Sequence, residues 1–499
     1  MGERSMLNKK FLLVAIICAA AVFSGCKTGI FGSGDIPAPS QPTAPPAPLV
    51  VDGVRTSYAD VVEKTSVAVV RIEADHKNRA PQTAPDVPDD FFRQFSIPRQ
   101  NPGPRLERGL GSGVIVSADG TILTNNHVIE DADKITVQLS DDKTFEAKVI
   151  GSDKPSDLAV LKIEAQNLPF LTLGNSDNVR VGDIVLAIGN PLGIGQSVTA
   201  GIISAKGRRT GISDGSSYED FLQTDAPINR GNSGGALVNL NSELIGINSQ
   251  ILSGGSNGGN IGIGFSIPSN MAKTVMEQLL KDGKVRRGML GINIQNLTDD
   301  TAKAMELKDT AGVLVSNVKA GSAADKAGIK RGDVITAING EKTEDSNVLR
   351  NKVAGTLPGT EIKLTVVRGG TPQELTATLE ESAVETSANR DAQPGPDGSG
   401  DKRGQNGKLG LTLQPVTPQI AKQLELDPGT EGLVVTDVDA DGAAAEAGVA
   451  RGDVIMEINR QAVATVESVQ SALEKSGDRP ILLLVSRRGT TSFLTVRPQ

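Results

Sequence analysis

Three residues far apart in the chain carry side chains that together could do acyl chemistry. Ser233 lies in Arg230-Gly231-Asn232-Ser233-Gly234-Gly235, directly before the apolar run Ala236-Leu237-Val238. A serine nucleophile needs a neighbouring base and two backbone N–H groups aimed at the developing oxyanion, and glycines let the chain turn tightly enough to aim them. His127 follows the strand-like Ile122-Leu123-Thr124-Asn125-Asn126. An imidazole of ordinary pKa ~6.5 can take the serine proton and return it to a leaving amine near neutral pH. The other histidine, His76, reads as part of a polar, Pro-rich loop. Asp157 opens Asp157-Leu158-Ala159-Val160-Leu161-Lys162-Ile163, a carboxylate beside an apolar strand. Holding imidazole in one tautomer and stabilising its cation requires such an acid, buried. A Gly-rich turn, a lone histidine and a turn aspartate each have an ordinary structural reading as well; the three together point to nucleophilic catalysis.

The elements that must position them are mostly strands. Short β-branched or alternating runs, Val67 to Ile72, Gly113 to Val116, Ile135 to Leu139 and Ile184 to Ile188, are separated by Gly, Asn and Asp turns, a spacing that argues for sandwiches or barrels. A helix is expected from Ser269 to Lys281, where Met271, Val275, Leu279 and Leu280 recur at helical spacing before Gly283. With 56 glycines, no Trp and 3% aromatics, the core must be Val, Ile, Leu and Ala. The 499 residues exceed what one core serves, so several domains are expected.

Other function classes fall away on composition. The formal charge of −8, with 51 Lys+Arg against 59 Asp+Glu, includes no strongly basic block to meet phosphates, so nucleic acid is not an expected partner. Two cysteines, Cys18 and Cys26, and two histidines cannot build a multi-Cys or multi-His metal cage. A zinc protease is therefore not expected; a cysteine protease is not expected either, since both thiols lie in the first 26 residues, nor is any metal or cofactor.

The N-terminus reads as an address. Lys9 and Lys10 precede an apolar run from Phe11 to Phe23, then Ser24, Gly25 and Cys26, the pattern of a secretory signal and too short for a membrane span. Val22-Phe23-Ser24-Gly25-Cys26 resembles a bacterial lipoprotein box with Phe23 in place of the usual Leu. On that reading residues 1–26 are the signal, Cys26 receives lipid, and the protein is anchored to a membrane outside the cytoplasm, in the periplasm. The competing reading is an ordinary signal in which Cys26 is incidental, and translation from Met6 is a further alternative. Residues 27–56 form a spacer, with six prolines between Asp35 and Pro48. As extended polyproline at about 3.1 Å per residue it reaches up to ~90 Å.

Beyond Arg287 the sequence repeats. Gly312-Val313-Leu314-Val315 returns as Gly432-Leu433-Val434-Val435, and Arg331-Gly332-Asp333-Val334-Ile335 returns as Arg451-Gly452-Asp453-Val454-Ile455, both at an offset of 120 (432 − 312 and 453 − 333). Two copies of one domain, over residues 286–382 and 407–498, are joined by a polar linker at 383–406.

Over nearly the whole chain from Tyr58 to Arg497 the sequence resembles the HtrA (Do-type, Deg-type) family of extracytoplasmic serine endopeptidases. The residues that carry the resemblance are Thr124-Asn125-Asn126-His127-Val128, Ser156-Asp157-Leu158-Ala159-Val160-Leu161, Ile188-Gly189-Asn190-Pro191, the run from Gln223 to Gly235, and Ile263-Gly264-Phe265-Ser266-Ile267-Pro268. The order His, Asp, Ser is that of chymotrypsin-type double barrels. The resemblance implies a mainly β fold with some α: a trypsin-like double β-barrel over residues 57–284, then two α+β PDZ domains. It implies an ATP-independent endopeptidase that degrades unfolded or misfolded proteins through an acyl-enzyme, assembled as homotrimers or larger oligomers.

By position, the resemblance makes Gly231 and Ser233 the oxyanion donors and Asn232 a lining residue of the cleft. It places the specificity pocket at Ile228, Ile251 and Ile263, whose aliphatic walls offer no charge to Lys or Arg and so favour cleavage after small aliphatic residues. Arg208 matches the regulatory relay residue. Leu290-Gly291-Ile292 and Leu409-Gly410-Leu411 match the PDZ loops that capture the carboxylate of peptides with apolar C-termini. Departures are Val67 for Pro, Tyr58 for Phe, a Pro-rich loop from Asp75 to Arg108 holding Phe91, Phe92 and Phe95, and an extension at Ser253 to Asn257. The rival readings are a non-proteolytic chaperone that holds unfolded clients through its PDZ domains, and a regulatory peptide sensor.

Overall fold

The computed structural model describes residues 50–51, 54–55, 57–76, 107–190, 195–210, 217–229, 231–253, 259–307, 310–382, 409–424, 426, 430–476 and 479–497. Cys26 and its signal, the Pro-rich spacer up to residue 49, Phe91, Phe92 and Phe95, Arg230, residues 254–257 and the 383–406 linker lie outside the described residues.

Strands β1 (Val50–Val51) and β2 (Val54–Arg55) pair as a small antiparallel hairpin. The first barrel is built from β3 (Val69–His76), β4 (Glu107–Ser117), β5 (Thr121–Thr124), β6 (Lys134–Gln138), β7 (Thr144–Asp153) and β8 (Leu158–Ile163), closed in the order β3-β4-β5-β8-β7-β6. The second contains β9 (Ile184–Gly189), β10 (Ser197–Arg208), β11 (Phe221–Thr224), β12 (Ala236–Asn239), β13 (Leu244–Ser253) and β14 (Asn260–Pro268), closed in the order β10-β11-β14-β13-β12-β9. Closure leaves no strand edge unpaired and gives each barrel an interior of branched aliphatics. In the second barrel these are Val185, Ala187, Ile203, Leu222, Leu237 and Ile245. The predicted helix is Ser269–Asp282, ended by Gly283 at φ 68°, whose N–H returns to Leu279 O at 3.0 Å. Its buried face is Ala272, Val275 and Leu279, while Leu280, expected inside, is 47% exposed.

Two further domains follow, with three sheets between them. In the first, β15 (Gly288–Met289) pairs with β22 (Glu380–Glu381), and the main sheet runs β16 (Ile292–Asn296), β17 (Val313–Val318), β18 (Val334–Ile338), β20 (Glu361–Arg368) and β21 (Thr371–Thr378), with β19 (Glu341–Lys342) beside β18. The second repeats the plan with β23 (Leu411–Pro415), β24 (Leu433–Val438), β25 (Val454–Ile458), β27 (Ile481–Arg487) and β28 (Thr490–Val496), with β26 (Gln461–Ala462) beside β25. The repeated Arg-Gly-Asp aspartates have one structural job in both copies. Asp333 is clamped by Arg368 at 2.7 and 2.8 Å, and Asp453 by Arg487 at 2.6 and 2.7 Å. Each accepts the N–H three residues before it, from Lys330 and Ala450. The carboxylates are 1% exposed, and burial of a charge is tolerated because each has a bidentate partner. The two domains meet over Met305, Leu314 and Val334 of one and Leu482, Leu484 and Phe493 of the other.

Candidate active site

Asp157 is placed by local backbone chemistry. Asp153 caps a single 3-10 turn, Lys154–Ser156, by accepting Ser156 N–H, and Asp157 closes the turn in the left-handed region at φ 54°, ψ 40°. Aspartate tolerates that conformation better than most residues. On the other side of the pair, β5 gives way to the one-turn helix Asn126–Ile129. The N–H of His127, unpaired within such a short helix, donates to Asp157 Oδ1 at 3.0 Å. The ring follows: His127 Nδ1 lies 2.8 Å from Asp157 Oδ2 and 3.0 Å from Oδ1. A carboxylate only accepts, so Nδ1 carries the proton and Nε2 is the basic nitrogen. Asn125 Nδ2 adds a bond to Asp157 O at 3.0 Å.

Burial is the largest influence on the His127 pKa and pushes it down. The charge of Asp157, its hydrogen bond and the charge of Glu130 together outweigh that, and the imidazole is held above its ordinary value. The acid is less enclosed than expected: the Asp157 side chain is 28% exposed and that of His127 21%. Three donors from the protein take the place of full burial, His127 N–H, His127 Nδ1–H and Ser249 Oγ at 2.9 Å. Nothing in the sequence around Ser249 set it apart from other strand serines.

The Gly231–Ser233 turn is anchored to both barrels. Ser112 N–H on β4 donates to Ser233 O at 2.8 Å, and Gly234 N–H donates to Asn248 O at 2.7 Å. Asn248 and Ser249 are consecutive on β13, so one strand holds the serine turn and the aspartate. Gly111 marks the other meeting point, where a Cβ would run into Val128, next to His127, and lie 3.3 Å from Ser233 O. Ser233 is half-buried, and Gly231 sits at φ 92° and Gly234 at φ 81°. At Gly234 any Cβ would collide with Ser112 O and Thr124 Oγ1. Asn232 is buried, and its Oδ1 has no partner among the described residues. Ile228 is buried in the second barrel with Ile251 packed against its cluster. Ile263 is half-buried on β14 beside Gly264, the register partner of Ile251.

His76 is not in a loop. It is the last residue of β3, paired with Glu107, and its Nδ1 lies 3.1 Å from Asp131 O. Strand pairing continues to the edge of the Pro-rich stretch, because β4 begins opposite it. Arg208 ends β10, where its Nε donates to Gln223 Oε1 at 3.2 Å. The two loops matched to carboxylate capture share one geometry. Leu290 O accepts Ala324 N–H and Leu409 O accepts Ala444 N–H; Gly291 O accepts Lys319 N–H and Gly410 O accepts Asp439 N–H. The glycines sit at φ 77° and 69°, and Ile292 and Leu411 each open a strand.

Comparison with known proteins bears on family and fold. The family described as trypsin-like peptidase domain matches residues 111–247, and PDZ domain families match residues 288–379 and 434–487. The chain is 40% identical over 469 residues to a probable periplasmic serine endoprotease DegP-like of Chlamydia pneumoniae, covering 91% of this chain and 92% of that one. It is 41% identical over 450 residues to a probable periplasmic serine protease do/HhoA-like of Haemophilus influenzae, covering 88% and 91%. The chain belongs to the HtrA (DegP-like) family. The solved HtrA-type protease AlgW with tripeptide is 42% identical, with a TM-score of 0.54 over 66% of this chain and 99% of that one. This HtrA-type protein is thus a serine endopeptidase, with a trypsin-like double barrel followed by two PDZ domains.

Contacts between the protease and the first PDZ domain reach the active site's supports. Arg287, just before β15, forms a bidentate pair with Asp153, the cap of the turn that ends at Asp157. Its guanidinium lies 4.5 Å from the Tyr218 ring centroid, and Tyr218 N–H donates to Pro155 O in the same turn. From the helix Ser346–Gly355, Asn347 and Asn351 both donate to Glu219 O at 2.9 Å. The Glu219 carboxylate accepts from Thr210, and Gln250, next to Ser249, bonds Thr210 Oγ1 at 3.4 Å.

Proposed function

We propose that this HtrA-type endopeptidase degrades unfolded or misfolded proteins in the periplasm, without ATP, through an acyl-enzyme on Ser233. The observation that carries the reading is the His127–Asp157 pair at 2.8 Å, tied through neighbouring β13 residues to the Ser233 turn. In this mechanism Ser233 Oγ attacks the scissile carbonyl as His127 Nε2 takes its proton. The oxyanion is received by the N–H groups of Gly231 and Ser233, and His127 then protonates the leaving amine. Water, activated by the same imidazole, hydrolyses the acyl-enzyme.

The aliphatic side chains of Ile228, Ile251 and Ile263 support cleavage after Val or Ala, with Asn232 lining the cleft. Arg208 is the proposed relay of PDZ occupancy, and Leu290-Gly291-Ile292 and Leu409-Gly410-Leu411 are the proposed captors of apolar C-termini. Lipid on Cys26 would tether a homotrimer, or a larger assembly, to a membrane. The test is Ser233→Ala assayed on unfolded casein, with folding checked by thermal melting. Loss of all cleavage by a folded variant is expected. Persistent cleavage refutes the triad, and suppression of client aggregation by a wild type that cuts nothing would favour the chaperone reading.

A further inference from the structure

Ser112 belongs to the first barrel, yet three of its four hydrogen bonds go to the second. It is fully buried on β4. Its N–H donates to Ser233 O at 2.8 Å, its Oγ donates to Gly231 O at 2.5 Å, and the same Oγ accepts Asn190 N–H at 2.8 Å. Its own carbonyl accepts Thr124 Oγ1 at 2.7 Å, which fixes Ser112 within the first barrel. The backbones come this close because glycines surround the contact. A Cβ at Gly111 would overlap Val128, one at Gly113 would crowd Ile122 and Ile72, and one at Gly234 would strike Ser112 itself.

We propose that Ser112 is the positioning residue of the oxyanion turn, holding from across the barrel interface the Gly231–Asn232 and Ser233–Gly234 peptide planes, which directly follow the Gly231 and Ser233 N–H groups and so set their aim. The inference rests on the proposed roles of Ser233 and the turn. Gly231 O and Asn232 N–H belong to one peptide plane. Anchoring that oxygen on Ser112 Oγ, while Asn232 N–H closes on Asn229 O at 3.0 Å, fixes the plane at both edges. The plane after Ser233 is fixed by Ser112 N–H. Between them the turn has little rigidity of its own, because Gly231 and Gly234, both at positive φ, lack a side chain to limit rotation. Hydrogen bonds weaken steeply with misalignment, and oxyanion stabilisation depends on donors aimed before the charge appears. Removing the Ser112 hydroxyl also leaves Gly231 O and Asn190 N–H without this partner in a buried site. The loss therefore falls on the transition state and leaves ground-state binding of substrate largely intact.

The experiment uses the full chain, a short chromogenic peptide with Val before the scissile bond, and a peptide boronic acid that forms a tetrahedral adduct. Ser112→Ala is expected to lower kcat by roughly 10- to 100-fold, on the scale of a weakened oxyanion donor. KM should stay within about twofold, with boronate affinity falling in parallel with kcat. Ser112→Cys, which keeps a weaker donor, should be intermediate in both, and carries the same test if the alanine variant does not fold. A wild-type kcat in a folded variant, or a loss of kcat with boronate affinity unchanged, would overturn the proposal. A boronate that binds Ser233→Ala as tightly as wild type would remove the nucleophile assignment itself, and this proposal with it.

Discussion

Replacing Arg287 with alanine strips a buried carboxylate of its cation at the point where the first PDZ domain meets the protease. Arg287 Nη1 and Nη2 lie 2.8 and 2.5 Å from the two Asp153 oxygens, and the side chains are only 9% and 7% exposed. Removing one partner of such a pair costs about 3–5 kcal/mol, most of it the uncompensated charge. Asp153 keeps Ser156 N–H and Oγ as donors, which lowers the figure, while lost stacking on Tyr218 returns about 1 kcal/mol. A net of about 3 kcal/mol is roughly a 10²-fold shift in the docking equilibrium. Neither domain need unfold, since undocking exposes Asp153 to water. The assay is amide hydrogen exchange at neutral pH. Tyr218, whose ring Arg287 covers and whose N–H is held by Pro155 O at 2.7 Å in the turn that Asp153 caps, should exchange faster in Arg287→Ala, by up to about 10²-fold if that turn loosens with undocking. Amides of β12 should be unchanged. Activity on a short peptide should fall several-fold, because the turn capped by Asp153 ends at Asp157. Tyr218 exchange within twofold of wild type would refute the reasoning and mean that the ion pair does not hold the domains together.

Asp157→Asn should lower kcat by roughly 10⁴-fold, as expected when imidazole is left in the wrong tautomer, whereas Ser249→Ala, which removes one of three donors, should cost about tenfold or less; steady-state kinetics on the chromogenic peptide separates the two. Because the His127 pKa is raised and the base must be neutral, kcat/KM should rise with pH along a limb whose midpoint lies above the ordinary histidine value, and Glu130→Gln should move that midpoint down; a midpoint at or below about 6.5 contradicts the charge argument. Asp220, pushed up to about 6 by burial and by the charges of Asp177 and Asp345 against the opposing pull of Lys206, favours its protonated form in the docked state. PDZ docking should therefore weaken as pH rises from the ordinary carboxylate range to about 6 and level off above it, and Asp220→Asn should flatten that dependence in hydrogen-exchange profiles taken from about pH 4 to 7.

The sequence revealed what chemistry demands of residue types and left hidden what depends on meeting across the fold. The proposed nucleophile Ser233 and its glycines could be read locally because an oxyanion turn is made from adjacent residues. The repeat could be read because the 120-residue offset carries its buried Asp333 and Asp453 along with the strands. Ser249 could not, since its role comes from register: β13 sets it beside Asp157, 92 residues away. The Arg287–Asp153 pair spans 134 residues, and neither partner has a local pattern that announces the other. Of the apolar stripe along Ser269–Asp282, Val275 and Leu279 are buried as its spacing implies, Ala272 is buried where the spacing predicts Met271, and Leu280 is in water.

A hydrogen-bonded path from the PDZ helix Ser346–Gly355 through Glu219, Thr210 and Gln250 ends beside Ser249 and Asp157, but contiguity alone transmits nothing. A ligand in the PDZ groove changes turnover only if the path joins two states that the ligand binds unequally. The junction contains terms of opposite sign. The Arg287–Asp153 pair and the Asn347 and Asn351 bonds favour docking. The charge of Asp345 against Asp220 opposes it once Asp220 has lost its proton. Where contributions of opposite sign nearly balance, a peptide with modest differential affinity can overturn the difference. It follows that variants at the junction should change peptide activation more than they change the unliganded rate of a docked enzyme, whereas variants at Ser112, which lies inside the barrel interface, should change both alike.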